Sequence, residues 1–269
     1  MTDNSQLFVY LHALWIWIKL IGKIKYIYRA FRIRFRLDKN EINYLVHNLK
    51  PGDIAVDIGA HKGGYLYWMK KAVQHGRVYA FEPQVKLFNY LNSYYNNTDR
   101  VTIEHMGLSN KSGEVQFYIP KTAKGDSPGA RIDSLQEESY SQTTIQTTTL
   151  DTYFLDRNIH PSFIKIDVEG HEQQVIRGGL KLLQTAKPTL LIECENRHLS
   201  DCTVLDVFRL LTDIGYKGYF FRNDQLQSIE NFDASVHQKT GAGRFWAEKD
   251  YINNFIFEPT LSFKTIKKQ

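Results

Sequence analysis

Along this chain, short near-continuous runs of apolar residues alternate with longer stretches in which apolar positions recur every three or four residues. Residues 54–58, 78–81, 101–106, 163–168 and 189–194 are runs of strand length with the composition of strands buried on both faces. Stretches 65–74, 85–95, 173–183 and 203–214 have helical periodicity, and Gly76 and Gly215 follow the first and last of them, where helices stop. A shorter helical pattern at 39–49 leads into the turn Pro51-Gly52-Asp53. Strands and helices alternating with short connections predict an α/β domain: a mostly parallel sheet with helices on both faces and right-handed crossovers.

Two regions break the alternation. Between Gly113 and Leu150, residues 114–119 and 143–148 read as short strands. The polar stretch 121–142 between them contains Gly125, Pro128 and Gly129. A connection of that length inside a domain is functional more often than structural, so it is predicted to be an active-site lid or acceptor loop. Near the end of the chain, 218–221 and 254–257 have strand composition with no helical pattern between them, and are predicted to pair antiparallel. The expected whole is a seven-stranded, mostly parallel sheet with a closing antiparallel strand. No internal repeat is present.

Residues 1–37 form a different kind of segment. From Leu7 to Ile18 the chain is almost wholly apolar and includes Trp15 and Trp17; basic residues then interleave with aromatic and aliphatic ones as far as Leu37. This pattern predicts a basic amphipathic helical extension over 1–37, ahead of a catalytic domain over 38–269. The apolar core is shorter than the roughly twenty residues a spanning helix needs. Its charges follow the apolar run instead of preceding it, the reverse of a secretory signal. Two readings remain open: a helix lying in a membrane interface against anionic lipid, or one packing on the catalytic domain or a second subunit.

Composition narrows the picture. Hydrophobic content of 42% with 13% aromatic residues excludes a disordered chain. The formal charge of +5 is concentrated in the extension, where Lys19, Lys23, Lys25, Arg29, Arg32, Arg34 and Arg36 face only Asp3, leaving the body near neutral. A neutral body argues against a nucleic-acid surface spread over the catalytic domain. Cys194 and Cys202 are too few for a disulfide scaffold or a Cys-x-x-Cys metal pair. They read as small apolar side chains of a cytoplasmic protein, peripheral on a membrane if the extension binds lipid.

The candidate chemistry lies at the strand ends. In an open α/β sheet, ligands bind beyond the carboxyl ends of the strands. The first strand ends in Asp57-Ile58-Gly59, followed by Ala60, His61 and Gly63, and the second ends in Glu82-Pro83. Glycines at 59 and 63 let the turn approach a cofactor, and Glu82 is positioned to accept hydrogen bonds from both ribose hydroxyls. A dinucleotide site needs Gly-x-Gly-x-x-Gly facing a pyrophosphate. Here an acid leads the turn, which suits a cationic, amino-bearing adenosyl ligand, S-adenosylmethionine. Gly107 and Leu108, after the third strand, are expected to border the adenine, or else to be an ordinary strand exit.

From Asp53 to Pro259 the chain resembles the FkbM family of S-adenosylmethionine-dependent methyltransferases. The residues behind the resemblance are Val56-Asp-Ile-Gly-Ala-His-Lys-Gly63, Phe81-Glu-Pro83, Gly107-Leu-Ser109, Thr149-Leu-Asp151, Phe163-Ile-Lys-Ile-Asp-Val-Glu-Gly-His-Glu172, Leu190-Leu-Ile-Glu193 and Asn254-Phe-Ile-Phe257. One departure is His61, which stands where the family usually has Asn. The resemblance implies a class I, Rossmann-like methyltransferase fold and methylation of hydroxyl groups, often on sugars, glycolipid precursors or macrolide-type products.

Methyl transfer from a sulfonium needs alignment of the acceptor oxygen and, for a weakly acidic alcohol, removal of its proton. Asp167, Glu169, His171 and Glu172 crowd the end of the fourth strand. Asp167 is the first candidate for catalysis and a further contact to the donor; Glu169 and His171 are candidates for base or acceptor binding. Glu169 and Glu172 have a plain alternative as helix caps. Glu193 points to the same place from the fifth strand. With Glu195 and His198 beyond it, a divalent ion such as Mg²⁺ enters as a candidate. Lys165 is expected to pair with Asp167 or Glu193. A small-molecule or glycan acceptor and a homo-oligomer are compatible with the pattern. The chain lacks the Asn/Asp-Pro-Pro-Tyr run of amino-group methylation, so an RNA or protein methyltransferase is the weaker alternative, together with a non-catalytic donor-binding scaffold at a membrane.

Overall fold

The computed structural model describes residues 4–121, 129–132, 139–241, 243, 245, 248 and 250–260. In chain order the elements are α1 (Asn4–Arg32), a π-helical segment (Ile33–Leu37), α2 (Lys39–Asn48), β1 (Ile54–Ile58), α3 (Gly64–Val73), β2 (Arg77–Phe81), α4 (Val85–Tyr95), β3 (Val101–Glu104) and β4 (Gly107–Leu108). Then come β5 (Gly113–Pro120), β6 (Tyr140–Thr148), β7 (Phe163–Ile166), α5 (Glu172–Arg177), α6 (Leu180–Ala186), β8 (Thr189–Glu193), α7 (Val204–Asp213), β9 (Tyr216–Arg222), β10 (Gln225–Ser228), α8 (Ala234–His237) and β11 (Asn254–Pro259).

The main sheet runs β10-β9-β11-β8-β7-β1-β2-β3. Strands β3, β2, β1, β7 and β8 are mutually parallel, and β11 lies antiparallel between β8 and β9. All seven predicted strands are present, with the antiparallel closure. An eighth, β10, extends the edge by a hairpin from β9. Its turn, Asn223-Asp224, has positive φ at both residues, the backbone twist that suits a two-residue hairpin loop. The predicted strands at 114–119 and 143–148 form a separate three-stranded sheet with β4.

Alternation along the central strands divides the core between two faces. Val56 and Ile58 of β1, with Ile164 and Ile166 of β7, face the layer that includes α5, α6 and α7; Ala55 and Phe163 face α1, α2 and α3. Asp57 and Lys165 are paired in register and share the second face, so two charged residues sit inside an otherwise apolar layer.

The helix predicted over 173–183 is divided. Gly178 and Gly179 separate α5 from α6, and a Cβ at Gly178 would lie 2.0 Å from the Ser109 carbonyl oxygen. This close approach docks the chain against the strand exit after β4. Asp151 then heads α6 by accepting N–H bonds from Lys181 and Leu182 (3.3 and 2.8 Å).

The last turns of α1 are seated on the body. Tyr26 donates to the Gly63 carbonyl at 2.9 Å and lies 2.6 Å from the Tyr95 hydroxyl; Trp68 Nε1 donates to the Ala30 carbonyl at 2.9 Å. The Arg34 guanidinium stacks 4.3 Å above the Trp68 ring. Among the described residues, no helix is long and apolar enough to cross a membrane.

Candidate active site

At the carboxyl ends of β1, β2 and β7 an open cavity is lined by the turn after β1, the end of β2, the exit of β3 and the residues after β7. Gly59 has φ +76°, and a Cβ there would lie 1.8 Å from the Asp167 carbonyl oxygen. Any other residue would force apart the two strand ends that form the cavity floor.

Glu82 is buried at this floor, with both carboxylate oxygens held by backbone: His61 N–H donates to Oε2 at 2.8 Å and Gln84 N–H to Oε1 at 2.9 Å. Burial pushes its pKa up to about 7, against the lowering effect of those two N–H groups. Each oxygen keeps lone-pair capacity toward the cavity. His61 has φ +47°, and its buried Nε2 has no hydrogen-bond partner among the described residues. Burial first, then Lys62, lowers the His61 pKa to about 4, so the ring is neutral near pH 7. A buried nitrogen without a partner among the described residues, beside a buried acid at the end of β2, leaves polar groups for a ligand to meet.

Asp57 lies behind this floor and is not part of the lining. It faces Lys165 at 3.9 Å, and Lys165 Nζ donates to Asp167 at 2.8 Å while resting 4.7 Å above the Tyr65 ring. Burial raises the Asp57 pKa to about 6, with Lys165 opposing. Burial disfavours the Lys165 charge, yet Asp167 and Asp57 outweigh it and hold the ammonium protonated. Tyr65 donates onward to Asp38 at 3.0 Å, so the segment following α1 reaches the same buried charge cluster.

Of the residues singled out from sequence, Gly59, His61, Glu82, Pro83, Gly107, Leu108, Asp167 and Glu169 line the cavity. Ala60 is buried in the turn and donates to the Phe81 carbonyl, and Gly63 heads α3. His171 is buried 2.9 Å from Ser109 Oγ and lies outside the lining. Glu172 accepts N–H bonds from Gly170 and Val168 (3.0 and 3.4 Å) in the loop ahead of α5, whose N-cap His171 makes no side-chain capping bond, so the helix-cap alternative is not what its carboxylate does; burial raises its pKa to about 7. Glu193 accepts from Asn253 at 2.8 Å, and burial, then Asp167, raise it well above the usual range. Lys165 pairs with Asp167, as expected from its position.

The carboxylates offered for Mg²⁺ are engaged elsewhere. Glu195 is held by Arg197 (2.6 and 3.0 Å) and by Tyr251; burial opposes its charge, but these partners keep its pKa below the usual range. Among the described residues, no group of three or more His, Cys, Asp or Glu is arranged to hold a metal ion. The Mg²⁺ expectation therefore has no support in this geometry.

One pairing at the cavity mouth was not legible as such. Glu169, with φ +53°, turns Oε1 to the Gly129 N–H at 3.0 Å and Oε2 to His198 Nδ1 at 2.8 Å. Arg131 donates to the His198 carbonyl, and Gly170 packs under it. The sequence separation of Glu169 and His198 hides the pair, since β8 lies between them. Met106, Phe117 and Ile132 supply apolar walls. Gly129, Ala130 and Ile132 of the predicted lid thus reach the cavity, while 122–128 and 133–138 lie outside the described residues.

Parallel strands whose carboxyl ends border an open cavity, with a buried acid closing the second strand, define a cofactor-binding α/β enzyme fold. The chain belongs to the methyltransferase FkbM family, whose domain model matches residues 57–217. S-adenosylmethionine is the cofactor of methyltransferases in this family. A curated relative, the hexuronic acid methyltransferase AglP of Haloferax volcanii, is 29% identical over 161 residues, covering 58% of this chain and 62% of the relative. Among solved structures, methyltransferase FkbM from Methylobacillus flagellatus is similar at 16% identity and a TM-score of 0.49, over 88% of this chain and 54% of that one. A precorrin-6y C5,15-methyltransferase from Geobacter metallireducens is similar at 11% identity and a TM-score of 0.43, over 81% and 86%.

Proposed function

We propose that this protein transfers a methyl group from S-adenosylmethionine to a hydroxyl of a sugar acceptor, with a hexuronic acid or a glycan containing one as the first class to test. The observation that supports the donor half is Glu82, a buried carboxylate at the end of β2 whose oxygens are fixed by two backbone N–H groups; in this reading it accepts the ribose hydroxyls. Asp167, Gly59 and His61 would hold the amino acid end of the donor, and Met106 and Leu108 the adenine. When bound, S-adenosylmethionine supplies an electrophilic methyl group on a cationic sulfur.

The residues of the chain supply alignment and proton removal. His198 Nδ1 lies 2.8 Å from Glu169 Oε2 and donates to it in this reading, which turns Nε2 toward an acceptor. In this reading His198 Nε2 takes the acceptor hydroxyl proton, and Glu169 orients the ring and stabilises the imidazolium that results. Asp167 is the second candidate for this role, because its carboxylate is already engaged by Lys165 at 2.8 Å. The acceptor half is supported by the name of the Haloferax relative and by the polar groups of Arg131 and His198 gathered around Glu169, which lines the cavity.

The test is incubation of the full chain with isotopically methyl-labelled S-adenosylmethionine and a panel of glucuronic- and galacturonic-acid oligosaccharides, neutral oligosaccharides, RNA and protein. Label transferred to the uronic acid oligosaccharides and stable to mild alkali identifies an ether and supports the reading. Alkali-labile label marks a carboxyl ester and contradicts O-methylation of a hydroxyl. Transfer to RNA or protein alone overturns the acceptor class.

A further inference from the structure

The seated face of α1 carries Tyr26 and Ala30, both buried against the body. The opposite face carries Trp17, Ile21, Ile24, Tyr28, Phe31 and Phe35, which are 62, 46, 58, 64, 39 and 60% exposed. Their spacing of three or four residues makes a continuous apolar stripe about 27 Å long at 1.5 Å per residue. Surfaces of water-exposed proteins seldom leave so many large apolar side chains uncovered together. None of these residues lines the cavity, so the stripe has no part in the donor site.

The stripe is bordered by charge of one sign. Lys25 and Arg32 lie along one edge, with Lys23 exposed further round toward the seated face and Arg36 exposed beyond, and no acidic residue occurs between Asn4 and Leu37. A second copy of the chain seated face to face would bring these cations against their own counterparts, with no acid on the segment to answer them. An anionic lipid surface answers both features: the acyl boundary takes the apolar stripe, the headgroups take the cations, and Trp17 and Tyr28 suit the interface between them. The helix is too short of apolar length to cross the bilayer, which fits a helix lying in its plane.

We infer that α1 is an interfacial membrane anchor, which docks the protein on anionic lipid through the stripe from Trp17 to Phe35 and the bordering lysines and arginines. The opposite face of the same helix holds the turn of the donor site, since Tyr26 donates to the Gly63 carbonyl. The anchor is therefore rigidly joined to the catalytic domain, with no flexible linker between them.

The test is flotation of the full chain with vesicles of phosphatidylcholine alone or with about 30% phosphatidylglycerol, at about 0.1 M and about 1 M salt. The expected result is co-flotation with the anionic vesicles at low salt, reduced at least about tenfold by high salt or by neutral vesicles. Two variants should each reduce binding to the same extent or more: Lys23→Gln/Lys25→Gln/Arg32→Gln/Arg36→Gln, and Trp17→Ser/Ile21→Ser/Ile24→Ser. All seven positions are exposed, so both variants should keep the parent melting temperature and donor binding. Failure to float with anionic vesicles overturns the inference. So does a dimer in light scattering that the serine variant dissociates while vesicle binding stays absent; that outcome assigns the stripe to a second copy. Donor binding measured on the same samples reads the catalytic proposal separately.

Discussion

The His61 N–H donates to Glu82 Oε2 at 2.8 Å, tying the turn after β1 to the end of β2. The carboxylate is therefore in position before any donor arrives, and little ordering remains to be done on binding. Replacing it tests that role. Glu82→Gln keeps the shape and removes the charge, so donor affinity should fall about thirtyfold, the equivalent of about 2 kcal/mol for a hydrogen bond to a charged group. Calorimetric titration measures this directly.

The same burial predicts a pH dependence. Glu82 is raised to about 7 from 4.5, so the donor-free folded state binds a proton more tightly than the unfolded chain does. Glu172, raised to about 7, and Asp57, raised to about 6, act in the same direction. Stability from these groups is complete below their unfolded values and is lost as pH rises through 6 to 7. Thermal melts of the donor-free protein should therefore decline from about pH 5 to about pH 7.5. If Glu82 accepts the ribose hydroxyls as proposed, donor affinity should move oppositely, because the ionised carboxylate is the form that accepts, and Glu82→Gln should flatten that dependence.

Lys165 is the counter-charge of two buried acids. Lys165→Met leaves Asp57 and Asp167 without it and should destabilise the fold by about 3–5 kcal/mol near pH 7.5. The loss should shrink toward pH 5, where Asp57 takes up a proton. Denaturant melts of the variant and parent at both pH values provide the check.

Gly59→Ala places a methyl group against the Asp167 carbonyl and pushes apart the ends of β1 and β7. The variant should lose donor binding and melt several degrees lower, as a backbone clash at a positive-φ site requires. Normal donor affinity in this variant would mean that the floor yields more readily than its packing implies.

At the mouth, His198→Ala should lower kcat by about 10²–10⁴ with donor affinity unchanged, the range for loss of a general base. Glu169→Gln should cost less, because the amide still accepts the Nδ1–H while losing its charge. Equal effects on donor binding and turnover would assign the pair to binding instead.

Much of the architecture is legible in the pattern of apolar residues, because parallel strands buried on both faces leave near-continuous runs that few other structures produce. Asp57, Gly59 and Glu82 stand out for the same reason: each ends such a run. What the sequence hides has identifiable causes. β10 is short and half-polar, and only the positive-φ residues Asn223 and Asp224 betray its hairpin. The break between α5 and α6 depends on Gly178 meeting Ser109, a contact between distant segments. Asp57 looks like a ligand group by position, yet register places it beside Lys165, behind the cavity. His198 stands out in the sequence only as a possible metal ligand, and its pairing with Glu169 emerges when folding brings the two together.

The most direct test is calorimetric titration of the full chain with S-adenosylmethionine and, separately, with NAD⁺. The expected result is saturable binding of S-adenosylmethionine at one site per chain, weakened in Glu82→Gln, and no heat with NAD⁺. Binding of NAD⁺ with none of S-adenosylmethionine would contradict the assignment of the cavity.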